Sequence, residues 1–168
     1  MATVVSANNP HVLLLDELQD FQAQALKLVR EGRRRICVLS ATLDAPLYNT
    51  DEFCEAVRLF VTQSRYTDAR FLVKDTSSII KHGHRLAELA QRLAGKLQLR
   101  KLTEAPQNTR HGWLIVDNAR LLYKHDEDAW NGYADYVAAS KCTLLLEEFT
   151  NLWELYGEED PYLRQQLL

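Results

Sequence analysis

Residues 110–118 read RHGWLIVDN, and this stretch decides the fold class of the chain. Its segment Trp113–Asp117 predicts a buried strand, because a short apolar run is typical of a strand covered on both faces. Arg120–Lys124 predicts a second strand directly afterwards. The short Asn118–Ala119 connection is typical of a hairpin. The sequence therefore predicts an antiparallel strand pair late in the chain.

Upstream of this hairpin, predicted helices alternate with buried strands. Further strands are predicted at Ile36–Leu39, Arg70–Lys74 and Leu97–Leu102. Apolar residues at helical spacing, with capping residues before them, predict helices over 16–32, 49–61, 75–94 and 142–156. Alternating strands and helices imply parallel strands joined by right-handed crossovers. We predict an α/β fold with a mixed, mostly parallel sheet and helices on both faces.

Chain length and composition indicate one domain. A chain of 168 residues can bury one core but is short for two. The hydrophobic share of 46% and the charged share of 26% are those of an ordinary globular domain. Residues 1–11 are expected to form a flexible leader, and residues 12–168 a single domain.

Charge and cysteine content bear on the cellular setting. The net charge of −3 gives no overall basic field that would attract nucleic acid or anionic lipid. No apolar run approaches the roughly 20 residues that span a bilayer, and the start of the chain does not resemble a signal peptide. Three widely spaced cysteines, Cys37, Cys54 and Cys142, are typical of reduced thiols. We expect a cytoplasmic protein without membrane association.

Several short motifs carry a family resemblance through their order and spacing. They are Leu43-Asp44 with Leu47-Tyr48, Arg70–Asp75, Gly83–Leu86, Leu121–Tyr123, Gly132–Asp135 and Phe149 with Leu152-Trp153. Together they resemble one half of the phospholipase D superfamily. They resemble more closely an uncharacterised bacterial family of phospholipase D-like domains, which occur alone or behind an N-acetyltransferase domain. The resemblance spans about residues 12–168 and implies a single phospholipase D-like domain in a bacterial cytoplasm.

The catalytic motif of that superfamily is not preserved in this chain. Its active-site strand reads H-x-K-x-x-x-x-D-G, where the histidine is the nucleophile and the lysine holds the phosphate charge. When Asp117-Asn118 is placed on the closing D-G, the histidine position is Arg110 and the lysine position is Gly112. His111 is one residue out of register, which turns it to the opposite face of the strand. We therefore assign no catalytic residue.

Two acidic residues are placed as ligand-binding candidates. Asp44 and Asp75 each follow a predicted strand, and α/β sheets collect ligands at the carboxyl ends of their strands. Arg65 is a candidate to form an ion pair with one of them. The alternative interpretation is that both carboxylates are loop or capping residues.

Four further residues complete the ligand-binding candidates. Arg110 and His111 belong to the altered motif, and His84 and Arg85 are neighbours in a predicted helix. His82 and His84 do not face each other on a helix, which argues against a metal site. We predict that His82 is a partly buried imidazole and that His84 lies on a solvated face, with an anion or partner contact as the alternative. No metal or cofactor is predicted.

Partners and function remain open between two classes. The basic clusters Arg33–Arg35 and Arg100-Lys101 lack interleaved aromatic residues, so we interpret them as solvated strand ends and expect no nucleic-acid partner. A homodimer with Trp113 in a self-complementary patch is expected, and an acetyltransferase or other protein is a candidate partner. The first functional class is a non-catalytic binding or interaction module. The second is a phosphodiesterase or other phosphoester-handling enzyme with an altered active site.

Overall fold

A computed structural model describes residues 3–4, 11–104 and 110–165, and its strands form one sheet. The strands are β1 (Thr3–Val4), β2 (Val12–Leu15), β3 (Arg35–Ser40), β4 (Asp68–Val73), β5 (Leu97–Leu102), β6 (Gly112–Val116), β7 (Arg120–Lys124), β8 (Gly132–Asp135) and β9 (Gly157–Glu158). Their order across the sheet is β1-β2-β8-β7-β6-β3-β4-β5-β9. Most of the predicted leader, residues 1–11, lies outside the described residues.

The described sheet is mixed, but it is mostly antiparallel. Only the pairs β3–β4 and β4–β5 are parallel, and the other six adjacent pairs are antiparallel. The prediction of a mostly parallel sheet is wrong in this detail, because it overlooked β2 and β8. These two strands extend the β6–β7 hairpin into an antiparallel half. The predicted α/β class is confirmed.

Helices cover both faces of the sheet, as predicted. They are α1 (Leu18–Glu31), α2 (Ala45–Tyr48), α3 (Asp51–Thr62), α4 (Ser77–His82), α5 (Arg85–Arg92), α6 (Ala139–Tyr156) and α7 (Pro161–Gln165). Buried residues of α1 to α5 and α7 join one hydrophobic core, whereas α6 alone packs Cys142, Phe149 and Trp153 on the opposite face. No helix of the described ranges is long and apolar enough to cross a membrane.

The turn of the β6–β7 hairpin is anchored to the start of β3. Asp117 and Asn118 take positive φ angles of 56° and 59°, a conformation that both residue types tolerate in turns. The Asp117 carboxylate accepts hydrogen bonds from the backbone N–H groups of Arg33, Arg34 and Arg35 at 2.9, 2.7 and 3.0 Å. The aspartate of the altered motif therefore ties the antiparallel half of the sheet to the parallel half.

The helix predicted over 75–94 is divided into α4 and α5. Gly83 ends α4 with a φ of 77°, which glycine adopts at little cost. His84 is extended, and its Nδ1 accepts a hydrogen bond from the Leu86 N–H at 3.2 Å, so it caps α5. The prediction of one continuous helix is wrong because Gly83 was treated as an interior residue.

Candidate functional site

Gly112 aligns in sequence with the lysine of the phospholipase D motif, and the surroundings of Gly112 leave little room for a side chain. The next residue, Trp113, pairs with Leu39, so Gly112 lies at the carboxyl end of β3, where α/β sheets bind ligands. A Cβ atom at Gly112 would lie 3.2 Å from the Leu39 carbonyl oxygen and 3.4 Å from Glu127 Oε1. Backbone and the Glu127 carboxylate therefore occupy the region in front of this position.

Two lysines and two carboxylates meet beside Gly112, and we call these four side chains the ion-pair cluster. Lys124 Nζ lies 3.0 Å from Asp44 Oδ2 and donates to the Glu127 carbonyl oxygen at 2.6 Å. Lys74 Nζ lies 3.3 Å from Glu127 Oε1. The four side chains are only 9–21% exposed. The two positive and two negative side chains are paired and mostly shielded from solvent, so the net charge of the cluster is close to zero.

Different elements position the members of the ion-pair cluster. Lys74 directly follows β4, Asp44 is the fourth residue after the end of β3, and Lys124 is the last residue of β7. Glu127 lies in the loop after β7, and its N–H donates to the Arg110 carbonyl oxygen at 2.8 Å. The site is therefore assembled from three segments that are distant in sequence, which contain Asp44, Lys74 and residues 124–127.

The space at the ion-pair cluster is too small for a phosphoryl group. A cavity of about 10 Å³ remains, lined in part by Asp44, Gly112, Lys124 and Glu127. That volume accommodates about one water molecule. Burial also raises the pKa of the Glu127 carboxyl above its usual range, although Lys74 opposes this shift. The site is closed in the described conformation.

The neighbours of Gly112 in the motif point elsewhere. His111 lies on the sheet face that α6 covers, with its Nε2 atom 3.8 Å from Glu148 Oε2 and its ring 5.5 Å from that of Tyr123. Burial lowers the pKa of the His111 imidazole, and Glu148 opposes that effect. Arg110 is exposed and lies 3.9 Å from Asp126. Neither side chain is a member of the ion-pair cluster.

The structure separates the predicted group of Asp44, Asp75 and Arg65. Asp75 lies at the same edge as Asp44, but it accepts hydrogen bonds from Ser77 N at 2.9 Å and Ser77 Oγ at 2.6 Å. These bonds hold the pKa of Asp75 below its usual range. Arg65 precedes β4 and therefore lies about 20 Å away, at the strand's other end. The prediction that Arg65 forms an ion pair with one of the two acids is wrong.

His84 and His82 have the reverse of their predicted exposure. His84 is buried, and its Nε2 lies 3.1 Å from the Leu43 carbonyl oxygen, whereas His82 is exposed. Arg85 is exposed and forms an ion pair with Asp51. The predictions for the two histidines are wrong because the break at Gly83 rotates the second helix relative to the first. His84 therefore holds α5 against the loop after β3.

We predict that His84 makes the fold sensitive to mild acid. Burial lowers the pKa of His84 to about 4 from an ordinary 6.5, so its stabilisation is complete above pH 6.5 and is lost as pH falls towards 4. Between pH 7 and pH 5 this loss should be roughly 2 kcal/mol of unfolding free energy. Urea unfolding at the two pH values measures it.

A His84→Asn variant is the control for this pH effect. Asparagine is a good helix-capping residue and does not titrate, so the variant should lose less stability between pH 7 and pH 5. An equal loss in both proteins would assign the pH dependence to other groups.

Three members of the ion-pair cluster, Lys74, Lys124 and Glu127, were not among the candidate residues named from the sequence. Lys74 follows a buried strand just as Asp44 does, so a charged residue at that point was a usable signal. Glu127 lies in an irregular acidic stretch, and no local pattern indicates that its carboxylate turns inward. Among the described residues, no group of three His, Cys, Asp or Glu side chains is arranged to hold a metal ion.

Comparison with known families places the chain. Residues 17–166 match a domain of unknown function, DUF7931. The chain belongs to the DUF7931 family. No curated protein matches the sequence.

Three solved structures are similar to this DUF7931 member. TrmBL2, an archaeal chromatin protein with a novel mode of DNA binding, has a TM-score of 0.64 and 15% identity, covering 88% of this chain and 53% of its own. NucT from Helicobacter pylori has a TM-score of 0.64 and 9% identity, covering 88% and 97%. A phosphatidylserine synthase from Haemophilus influenzae has a TM-score of 0.52 and 12% identity, covering 84% and 40%. The DUF7931 member has a phospholipase D-like fold, and it spans about half the length of TrmBL2.

These findings correct the predictions about partners. The expectation that nucleic acid is not a partner, which rested on net charge and on basic clusters without aromatic residues, is contradicted because TrmBL2, a structurally similar chromatin protein, has a mode of DNA binding. Trp113 is 1% exposed and packs against Phe149 of α6, so it cannot form the dimer patch predicted for it. The comparisons give no support to an acetyltransferase or other protein partner for the DUF7931 member.

Proposed function

We propose that this domain is a non-catalytic phospholipase D-like binding module whose ancestral catalytic edge is closed by the ion-pair cluster. One observation carries the proposal: the Glu127 carboxylate lies against Gly112, where the motif has its lysine. Lys74 and Lys124, the cations nearest to that position, both face carboxylates. A phosphodiester at this position would lie beside two carboxylates, and both nearby lysines are already paired with them.

The chemistry of phosphodiester transfer supports a non-catalytic role. Such a transfer needs a nucleophile aimed at phosphorus and a fixed cation beside the developing charge. The histidine nearest in sequence, His111, is directed towards Glu148 under α6. Arg110 occupies the nucleophile position, and a permanently protonated guanidinium is not a nucleophile.

We expect no hydrolysis of bis(4-nitrophenyl) phosphate above the buffer rate, because the site has neither an aimed nucleophile nor space for the phosphoryl group. The measurement is the release of 4-nitrophenol by micromolar protein, with His111→Ala as the comparison. Hydrolysis by the natural chain that disappears in His111→Ala would show that the domain is a phosphodiesterase and that the proposal is wrong.

A second variant tests whether the ion-pair cluster closes the site. Glu127→Ala removes the carboxylate that faces Lys74 and opens space beside Gly112, so inorganic phosphate should raise the melting temperature of this variant more than that of the natural chain. Asp126→Ala removes a carboxylate from the same loop and is the matched control. Equal responses of the two variants to phosphate would contradict closure by Glu127.

We also propose a reducing, cytoplasmic setting for the domain. Its three cysteines, Cys37, Cys54 and Cys142, are all buried and free of disulfide bonds. Burial raises the pKa of the Cys37 thiol to about 12 and that of Cys54 and Cys142 to about 11. Thiols held in the protonated form are poor nucleophiles and suit a structural role.

A further inference from the structure

The amino-terminal end of strands β3 and β4 carries a dense group of basic side chains, which we call the basic edge. Segments 33–35, 64–70 and 96–98 meet there. Their basic residues are Arg33, Arg34, Arg35, Arg65, Arg70 and Lys96. Asp68 is the only acidic residue of these three segments, although the whole chain has a net charge of −3. Positive charge is therefore concentrated at one end of an otherwise acidic chain.

Direct contacts bring the segments of the basic edge together. The Asp68 N–H donates to the Arg34 carbonyl oxygen at 3.1 Å. The Asp68 carboxylate lies 3.1 Å from Arg35 Nε and 3.4 Å from Arg70 Nε. One carboxylate thus holds two guanidinium groups side by side, and these side chains remain 43% and 37% exposed.

Two further cations lie at the loop before β4, one of them Lys96, which directly precedes β5 and reaches across to this loop. Lys96 Nζ donates to the carbonyl oxygens of Ser64 and Thr67 at 2.6 and 3.2 Å. The same loop carries Arg65, whose guanidinium is exposed. The backbone of residues 33–35 is fixed by the three hydrogen bonds to Asp117. When the Asp117 carboxylate is counted with that of Asp68, the basic edge has six cationic side chains and two carboxylates.

An exposed aromatic side chain lies within this basic surface. Tyr66 is 75% exposed, and the Arg65 guanidinium carbon lies 4.9 Å from the centre of its ring. Sites for single-stranded nucleic acid combine cations that follow the phosphates with aromatic rings on which bases stack. The sequence hides this combination because Tyr66 lies far along the chain from Arg33–Arg35.

We propose that the basic edge binds single-stranded nucleic acid, with arginines on the phosphates and a base stacked on Tyr66. Guanidinium groups suit this role because their planar N–H groups match phosphate oxygens in pairs. The basic edge lies at the opposite end of β3 and β4 from the ion-pair cluster. The inference therefore does not depend on whether that cluster is catalytic.

The test is fluorescence anisotropy with a short, labelled, mixed-sequence DNA strand and the full chain. We expect saturable binding that weakens as salt increases, with a log–log slope of about 0.7 for each phosphate contact. Arg34→Gln combined with Arg65→Gln should weaken binding about tenfold and reduce that slope. Lys81→Gln with Arg92→Gln, an equal charge change on exposed residues of α4 and α5, should leave affinity within about twofold.

Tyr66→Ala tests the stacking contact separately. Tyr66 is mostly exposed, so the variant should fold, and it should weaken binding to the single strand more than to the duplex of the same sequence. An equal loss of DNA affinity in the Arg34→Gln, Arg65→Gln variant and in the Lys81→Gln, Arg92→Gln variant would overturn the proposal. The absence of saturable DNA binding at low salt would also overturn it. Binding to phosphatidylserine vesicles but not to DNA would overturn it as well, by assigning the basic edge to a membrane.

Discussion

Replacing Gly132 with alanine is expected to lower the unfolding free energy by roughly 3 kcal/mol or more. A Cβ atom at this position would overlap the Tyr123 carbonyl oxygen and lie 2.9 Å from the Tyr123 carbonyl carbon and 3.1 Å from Lys124 Cα. All three are backbone atoms of β7, so β7 and β8 would have to separate. Urea unfolding followed by circular dichroism measures the loss.

Gly95→Ala is the matched control for this clash. Gly95 has a φ of 88°, but nothing lies within 4 Å of an added Cβ, so only backbone strain of roughly 1–2 kcal/mol is expected. Equal losses in the two variants would show that the backbone of β7 yields easily. Because Gly132 pairs with Lys124, Gly132→Ala should also displace a member of the ion-pair cluster.

Asp117→Ala is expected to cost roughly 3 kcal/mol, because three backbone N–H groups lose a charged acceptor at once. Alanine at a positive φ adds strain of about 1 kcal/mol. Asp117→Asn separates the two effects, since asparagine tolerates this backbone conformation but keeps one acceptor oxygen. The loss of unfolding free energy in Asp117→Asn should therefore be smaller than that in Asp117→Ala but still measurable. Chemical denaturation measures all three proteins.

Asp128→Ala is the surface control for the Asp117 variants. Asp128 is an exposed acid, and its replacement should change stability by less than about 0.5 kcal/mol. If Asp117→Ala were as stable as Asp128→Ala, the anchoring of the hairpin to β3 would contribute little to the fold.

The strands at the centre of the sheet were predictable because their apolar sequences match their buried positions. β3, β4 and β6 are short apolar runs, and they lie where both sheet faces are covered. β8 was missed because Gly132 and Asp135 have low strand propensity, and it becomes a strand only through its ladders to β2 and β7. Tertiary pairing therefore decides the antiparallel half of the sheet.

The candidate site shows the same division between local and tertiary information. Asp44 was predictable because a residue after a buried strand lies at the sheet edge. The inward position of Glu127 depends on a hydrogen bond to Arg110 and on the ion pair with Lys74. The exposure of His84 was predicted wrongly because Gly83 interrupts the helix, which changes the residues of the second helix that face the core. The sequence indicated only the Arg33–Arg35 part of the basic edge, because the segments that contain Arg33–Arg35 and Tyr66 come together only in the folded chain.

The outermost strand at one end of the sheet leaves part of its neighbour open to other chains. Exposed strand edges are templates on which other chains add strands, as in amyloid. In the described residues, β9 pairs with only Lys101 and Leu102 of the six-residue β5. Residues 97–100 of β5 therefore have no strand beside them on that side. Self-association through added strands should start at this part of β5, and Arg100 at its end is the kind of charged residue that opposes it.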